Sequence, residues 1–465
     1  MVEKIGFFTQ QYNYNTIQNT ERKKQVQNIG NSEHAVPSFT AQAKKDVQFN
    51  SAATPPQNIN LRTSLTTKEE KEKYTEVSAN LSKSGKKIIN TLLKNGILLN
   101  NNSNDKSSVL DNLYKIIKEP RAEGLNAKSI LNDTLTTIAY PYLITQQFGD
   151  IPEEYKDTVI KANNADKTNL IDIYQGALDV NVEHSGTCVA ASTEFKLANQ
   201  MPAEFARFAQ ELSSPKLSVE KTIKMNNLAD DTLSSIWLLN SFEIPWETTD
   251  LNTAKLKFAP DKNAIIRARI QTTHKDPAER TPLDVLMQST FMQIGSQQSY
   301  NSLTDKRTGK FNQNDKGLIE FEKTFTESVV FDKNILSVTY QTVDENARLI
   351  GYETDLATMK KHLITALNEG EDVIIGYTQT DNNNIIVNGH EITIVGYRTG
   401  ENGKTIFICN DTDDNIYKPI EYSEDYILPK IHHAALPKHI VENDMNIVPN
   451  WIEGLSMYKQ MKNAA

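Results

Sequence analysis

Hydrophobic spacing changes character along this chain of 465 residues, and the change limits the folds open to it. A first run holds Tyr74, Val77, Leu81, Ile88, Leu92 and Leu93; a second holds Leu110, Leu113, Tyr114 and Ile117; a third holds Ile130, Leu131, Leu135 and Ile138. All three recur at helical spacing. After a further helical pattern from Met359 to Leu367 and the break Asn368-Glu369-Gly370, the chain turns to Val373-Ile374-Ile375-Gly376-Tyr377 and then to the alternating run from Asn388 to Tyr397. Thr405-Ile406-Phe407-Ile408-Cys409-Asn410 follows in the same manner, so the C-terminal third reads as strands. An α+β class follows, with a helical half ahead of a mixed β half.

Boundaries follow from the same patterns. Residues 1–65 are rich in Gln, Asn, Ser, Thr and Lys, contain Pro55-Pro56 and show no sustained period, which reads as a disordered arm. Its Phe7, Phe8, Tyr12 and Tyr14 are the hydrophobic handles of the alternative, a docking segment. Thr67-Lys68-Glu69-Glu70 has the form of a capping box and opens one long amphipathic helix ending near Asn95-Gly96. The next two helices stop before Pro120 and Pro141, so residues 66–165 form a small all-helical unit. Residues 166–465 remain for a larger domain, and Tyr300 to Lys316 reads there as a polar surface loop.

Composition excludes several classes. A net charge of −9, from 50 basic and 59 acidic residues, with no basic stripe, argues against nucleic acid as a partner. Two cysteines, Cys188 and Cys409, exclude a disulfide framework and disfavour a cysteine-based zinc site. The N-terminus lacks the apolar stretch of a secretory signal and no apolar run approaches a membrane span. A cytoplasmic protein is expected, with signal-independent export open.

Chemistry concentrates in two places. In Ser185-Gly186-Thr187-Cys188-Val189-Ala190-Ala191-Ser192 a thiol sits in the first turn of a small-residue helix, where unpaired N–H groups and the helix dipole favour a thiolate. Phe195, Leu197 and Ala198 continue that helix, and Pro202 begins a second one. The other place is the strand that begins Asn388-Gly389-His390-Glu391, followed across the turn 398–404 by the strand ending in Asn410. A hairpin whose midpoint is residue 400 sets His390 opposite Asn410. Asn410 is then the first choice to orient the imidazole and Asp411 the second, since Asp411 points away unless the strand breaks there.

These motifs resemble the papain-like cysteine peptidases. Gly186-Thr187-Cys188-Val189-Ala190-Ala191-Ser192 is similar to the family's nucleophile motif, Gly389 to Tyr397 to its histidine strand, and Ile408-Cys409-Asn410 to the strand bearing its asparagine; the order Cys, His, Asn also matches. The resemblance covers about 175–430 and implies a two-lobed fold with catalytic Cys188, His390 and Asn410 in the cleft, a protein or peptide substrate, and no metal or organic cofactor. Val189 stands where the family has an aromatic residue, and Val182 where it has the oxyanion glutamine, leaving Asn181 or Gln175 as candidate oxyanion donors. The absence of the family's disulfides suits an intracellular bacterial-type member. The same residues also serve transglutaminase-like or amidase acyl transfer, and Asn410-Asp411 after the histidine strand resembles bacteriocin-processing peptidases, which use an Asp. A non-catalytic peptidase-like binding protein, docking partners through residues 1–165, is the alternative from another class.

His432 and His433, adjacent in sequence, are expected to diverge and to be ordinary residues. Asp411, Asp413 and Asn415 begin like a calcium loop, but Ile416 replaces the required Gly. Limited proteolysis is expected to trim residues 1–65 before any other part of the chain; an arm cut no faster than the core would contradict that reading.

Overall fold

The computed structural model describes residues 61–149, 151–165, 186–248, 250–273, 279–307, 317–344, 346–413 and 417–442. The arm expected at 1–65 lies outside them except for its last five residues. Among the described residues the chain is mixed α+β, and no helix is long and apolar enough to cross a membrane.

Two helices, Lys68–Ala79 and Lys83–Lys94, replace the single long one expected. The first begins at the predicted capping box: Thr67 Oγ1 accepts from the Glu70 N–H, and Glu70 accepts from the Thr67 N–H. Burial opposes ionisation of Glu70, yet the Thr67 and Thr66 N–H groups and Arg62 bring its carboxyl down to about 2. The break falls where Asn80 closes the first helix and Ser82 caps the second by accepting from the Gly85 N–H. A hydroxyl that can cap a new helix competes with continuing the old one. Val109–Lys118 and Ala127–Ala139 stop before their prolines as predicted.

These helices bury Val77, Ile89, Leu113, Ile130 and Leu135 in one core with the helices Cys188–Gln200, Pro202–Leu212, Pro282–Gly295 and Glu320–Phe331. The same core takes in a small antiparallel sheet, in which Thr253–Phe258 lies between Val219–Lys224 and Trp246–Glu247. That sheet was not anticipated, although Val219, Lys221 and Ile223 alternate inward with period two.

A second core gathers on a six-stranded antiparallel sheet. Its strands run, in spatial order, Ile420–Ser423, Thr405–Asn410, Ile386–Thr399, Val373–Thr380, Ile431–Pro437 and Ile335–Thr339. The helix Leu356–Asn368 covers it through Met359, Leu363 and Ala366. The predicted hairpin is present with a different register: Thr399 faces Thr405 and Thr393 faces Asn410. Pairing continues up to Thr399 and Thr405, which leaves a short loop closed by the Gly400 N–H on the Lys404 carbonyl, with Gly403 at φ +77°. The hairpin is therefore centred beyond residue 400, and His390 has no partner in the Thr405–Asn410 strand.

Polar anchors join the two cores. Lys196, 1% exposed on the Cys188 helix, meets the equally buried Glu327 of the Glu320–Phe331 helix at 2.5 Å and Glu371, beside the sheet, at 3.7 Å. Asn199 donates to Asp372 Oδ2 at 2.8 Å. Burial drives Glu327 toward its neutral form and the Lys196 charge opposes that. Removing the cation leaves a carboxylate in the interior, so Lys196→Met is expected to cost about 3–5 kcal/mol, whereas Lys196→Met combined with Glu327→Leu recovers most of it. Urea denaturation midpoints check this; a single variant as stable as the parent would show that the pair does not hold the helix.

Candidate active site

Cys188 is the first residue of a helix buried from Val189 to Ala198, and its own side chain is half-buried. The turn ahead of it is fixed from two sides. The Gly186 N–H donates to Asp305 Oδ2 at 2.8 Å, and the Tyr300 hydroxyl donates to Asp305 Oδ1 at 2.5 Å. Thr187 Oγ1 donates to Gln288 Oε1 at 3.1 Å. Tyr300, Asp305 and Arg307 are each at most 6% exposed, so the described part of the expected surface loop is interior structure. Its polarity misled because those polar groups pair with one another and with the chain around them: Arg307, for instance, is bidentate on Glu322.

His390 stands opposite Tyr377 in the Ile386–Thr399 strand, with the Tyr377 ring edge-on at 5.9 Å. Its Nε2 lies 2.6 Å from Asp411 Oδ1, and the Cys188 side chain is near enough to act on the ring's protonation. With Nε2 turned to the carboxylate, Nδ1 is the ring nitrogen left for another partner. Burial pushes the imidazole toward neutrality; the Asp411 charge and hydrogen bond overcome this, the Cys188 sulfur adds to them, and the ring is held protonated well above its ordinary range. Asp411 responds in the opposite sense: burial raises it, while the His390 charge and the Asp413 N–H bring it below the ordinary carboxyl range.

Asp411 thus stands against the imidazole, where Asn410 was the first choice. The strand ends at Asn410, and the chain turns at 411–413 with the Asp413 N–H on Asp411 Oδ1 at 2.9 Å. Released from strand alternation, Asp411 reaches back to the imidazole. Asn410 is buried opposite Thr393, and its amide nitrogen finds no hydrogen-bond partner among the described residues.

The turn is clamped from the helical side by residues no motif singled out. The Gln146 N–H donates to the Thr412 carbonyl at 3.0 Å, and Gln147 Nε2 donates to Asp413 Oδ1 at 2.6 Å. Gln288 Nε2 donates to the Thr145 carbonyl at 2.9 Å and to Glu194 Oε2 at 3.0 Å. Gln288 therefore ties the residue before the thiol, the segment gripping the Asp411 turn, and the Cys188 helix itself. Beneath it, burial and the neighbouring Asp284 hold Glu194 well above the carboxyl range, and burial raises Asp284 to about 6. Such a chain is readable only once distant segments are known to meet.

Asn181 and Gln175 lie outside the described residues, as does Val182. His432 and His433 do not diverge as expected. The Ile431–Pro437 strand carries a bulge between Ile431 and His433, which turns consecutive side chains to one side, where both meet Glu320.

The geometry separates the two thiols. Cys409 is fully buried in its strand, and burial, with the nearby Asp411 charge, pushes its thiol far above the ordinary range. Iodoacetamide is expected to modify Cys188 in the folded protein and Cys409 only after unfolding, as peptide mass analysis would record; equal labelling of both would contradict the arrangement. Known protein-family models, curated proteins and solved structures offer no match to this chain.

Proposed function

We propose that the chain is a papain-like, two-lobed cysteine peptidase whose machinery is Cys188, His390 and Asp411, the last in place of Asn410. One observation carries this reading: a helix-start thiol and a carboxylate at a strand end engage the same imidazole, although 202 residues separate Cys188 from His390. Structural histidines need only one such partner.

The chemistry follows from those positions. Cys188 as thiolate attacks the scissile carbonyl, and the backbone N–H at the helix start donates to the oxyanion. His390, held as imidazolium by Asp411, gives its proton to the leaving amine. A water then attacks the thioester, His390 takes its proton, and the returning thiolate is the leaving group. Asp411 fixes the ring and compensates its charge without taking the proton. The substrate is a protein or peptide, and the steps require no cofactor.

The same residues also serve a second reading within the same chemistry. The acyl-enzyme can be resolved by an amine in place of water, which is transglutaminase-like transfer.

Three measurements test the proposal. Incubation of the full chain with a peptide library, with and without a primary amine, is expected to give cleaved products by mass; amine-capped products would select the transfer reading. Cys188→Ala is expected to lower turnover at least about a thousandfold with unchanged thermal unfolding. Full activity in that variant would remove Cys188 from the machinery, and an inert wild-type chain whose Cys188 alkylates no faster than a free thiol would leave a non-catalytic binding protein. The basic limb of kcat/KM against pH reports loss of the His390 proton. Because Asp411 raises that imidazole against burial, Asp411→Asn is expected to move the limb to lower pH and reduce kcat by up to about 10⁴-fold. Asn410→Ala is expected to leave the limb in place; the reverse pattern would restore Asn410 as orienter.

A further inference from the structure

Glu320, His432 and His433 converge on the side of the sheet that faces the Glu320–Phe331 helix. Glu320 Oε1 lies 3.0 Å from His432 Nδ1 and 3.5 Å from His433 Nδ1, and the two nitrogens are 3.2 Å apart. Ligands bound at zinc's usual 2.0–2.2 Å in a tetrahedron stand about 3.3 Å from one another, so the three atoms already form one face of such a tetrahedron. We propose that these residues bind a divalent transition-metal ion, with zinc the best fit, at a site separate from Cys188 and His390.

Four further observations fit an ion better than three polar groups packed by chance. Each outer contact orients a ligand: Thr339 Oγ1 donates to Glu320 Oε2 at 2.8 Å, and His433 Nε2 lies 3.2 Å from Glu391 Oε1. A carboxylate on the far nitrogen of a ligating histidine fixes the tautomer whose near nitrogen offers a lone pair. Room for the ring is also built in. A Cβ on Gly376 would lie 2.0 Å from His433 Cε1, so only glycine at that position allows the imidazole to lie against the neighbouring strand. The strand bulge supplies what regular alternation forbids, two adjacent histidines on one side. Charge gives the fourth: Glu320 and Glu391 carry two negative charges and Lys323, paired with Glu391, one positive, leaving an excess that a divalent cation reverses.

A cavity of about 10 Å³ bounded by Glu320, His433, Glu391, Lys323 and Val189 lies beside the group and is of the size for one water. It has no room for a substrate. The ion's work is therefore structural: it joins the start of the Glu320–Phe331 helix to the Ile431–Pro437 strand, behind the strand that carries His390. Hydrogen bonds alone offer the competing account, in which Lys323, 3.0 Å from His433 Nε2, donates to that nitrogen and Nδ1–H points at Glu320.

Zinc alone, titrated calorimetrically into chelator-stripped full-length protein, is expected to bind at one equivalent per chain, and equally in Cys188→Ala. Glu320→Gln and His432→Gln are expected to weaken it more than about 100-fold, and Glu391→Gln by about 10–100-fold. Cobalt spectra of the unsubstituted chain give a readout that needs no ligand variant: a four-coordinate spectrum without a thiolate charge-transfer band is expected. No binding to the unsubstituted protein, wild-type affinity in the Glu320 and His432 variants, or a thiolate band that disappears in Cys188→Ala would overturn the proposal.

Discussion

The Lys196 ammonium is the charge on which the arrangement of the two cores depends. It projects from the middle of a helix that has no solvent face between Val189 and Ala198, and it is neutralised by carboxylates from two different places, Glu327 on a neighbouring helix and Glu371 at the entry to the large sheet. A charge in the interior tolerates little displacement, because each ångström gained from its partner weakens an attraction that the low dielectric makes strong. Lys333 on Glu371 and Asn199 on Asp372 extend the same junction. The helix that presents Cys188 is thereby registered against the sheet that presents His390, far from either residue.

At the other end of the helix the coupling is uncharged. Gln288 has one amide and uses both of its ends, accepting from Thr187 and donating to Thr145 and Glu194. Buried hydrogen bonds of this kind favour one arrangement, because any shift leaves donors unpaired where water cannot replace the lost partner. The site is thus held at two points along a single helix, by electrostatics at Lys196 and by hydrogen-bond geometry at Thr187.

Local features were legible in the sequence because they depend on local chemistry. The Thr67 cap, the stops before Pro120 and Pro141, the helix beginning at Cys188 and the hairpin containing His390 each follow from neighbours a few residues apart. What escaped depends on distance or on a small offset. The register of the hairpin turned on how far pairing continues into the 398–404 segment, and that offset exchanged Asn410 for Asp411 as the partner of the imidazole. Alternation was the right rule for His432 and His433 until a bulge suspended it. Polar residues such as Tyr300, Asp305 and Arg307 looked solvent-facing because a sequence displays each group without its partner.

Between Cys188 and the turn that holds Asp411 lies nearly half of the chain, and the clamp on that turn comes from Thr145 to Gln147, still further back. A nascent chain leaving the ribosome therefore carries its thiol through 202 further residues of synthesis before the imidazole is made, with the carboxylate later still. Contacts of such sequence separation form late, after the ends of long loops have been brought together. Topology therefore makes the meeting of Cys188, His390 and Asp411 a late event of folding, one that waits on segments from both halves of the chain.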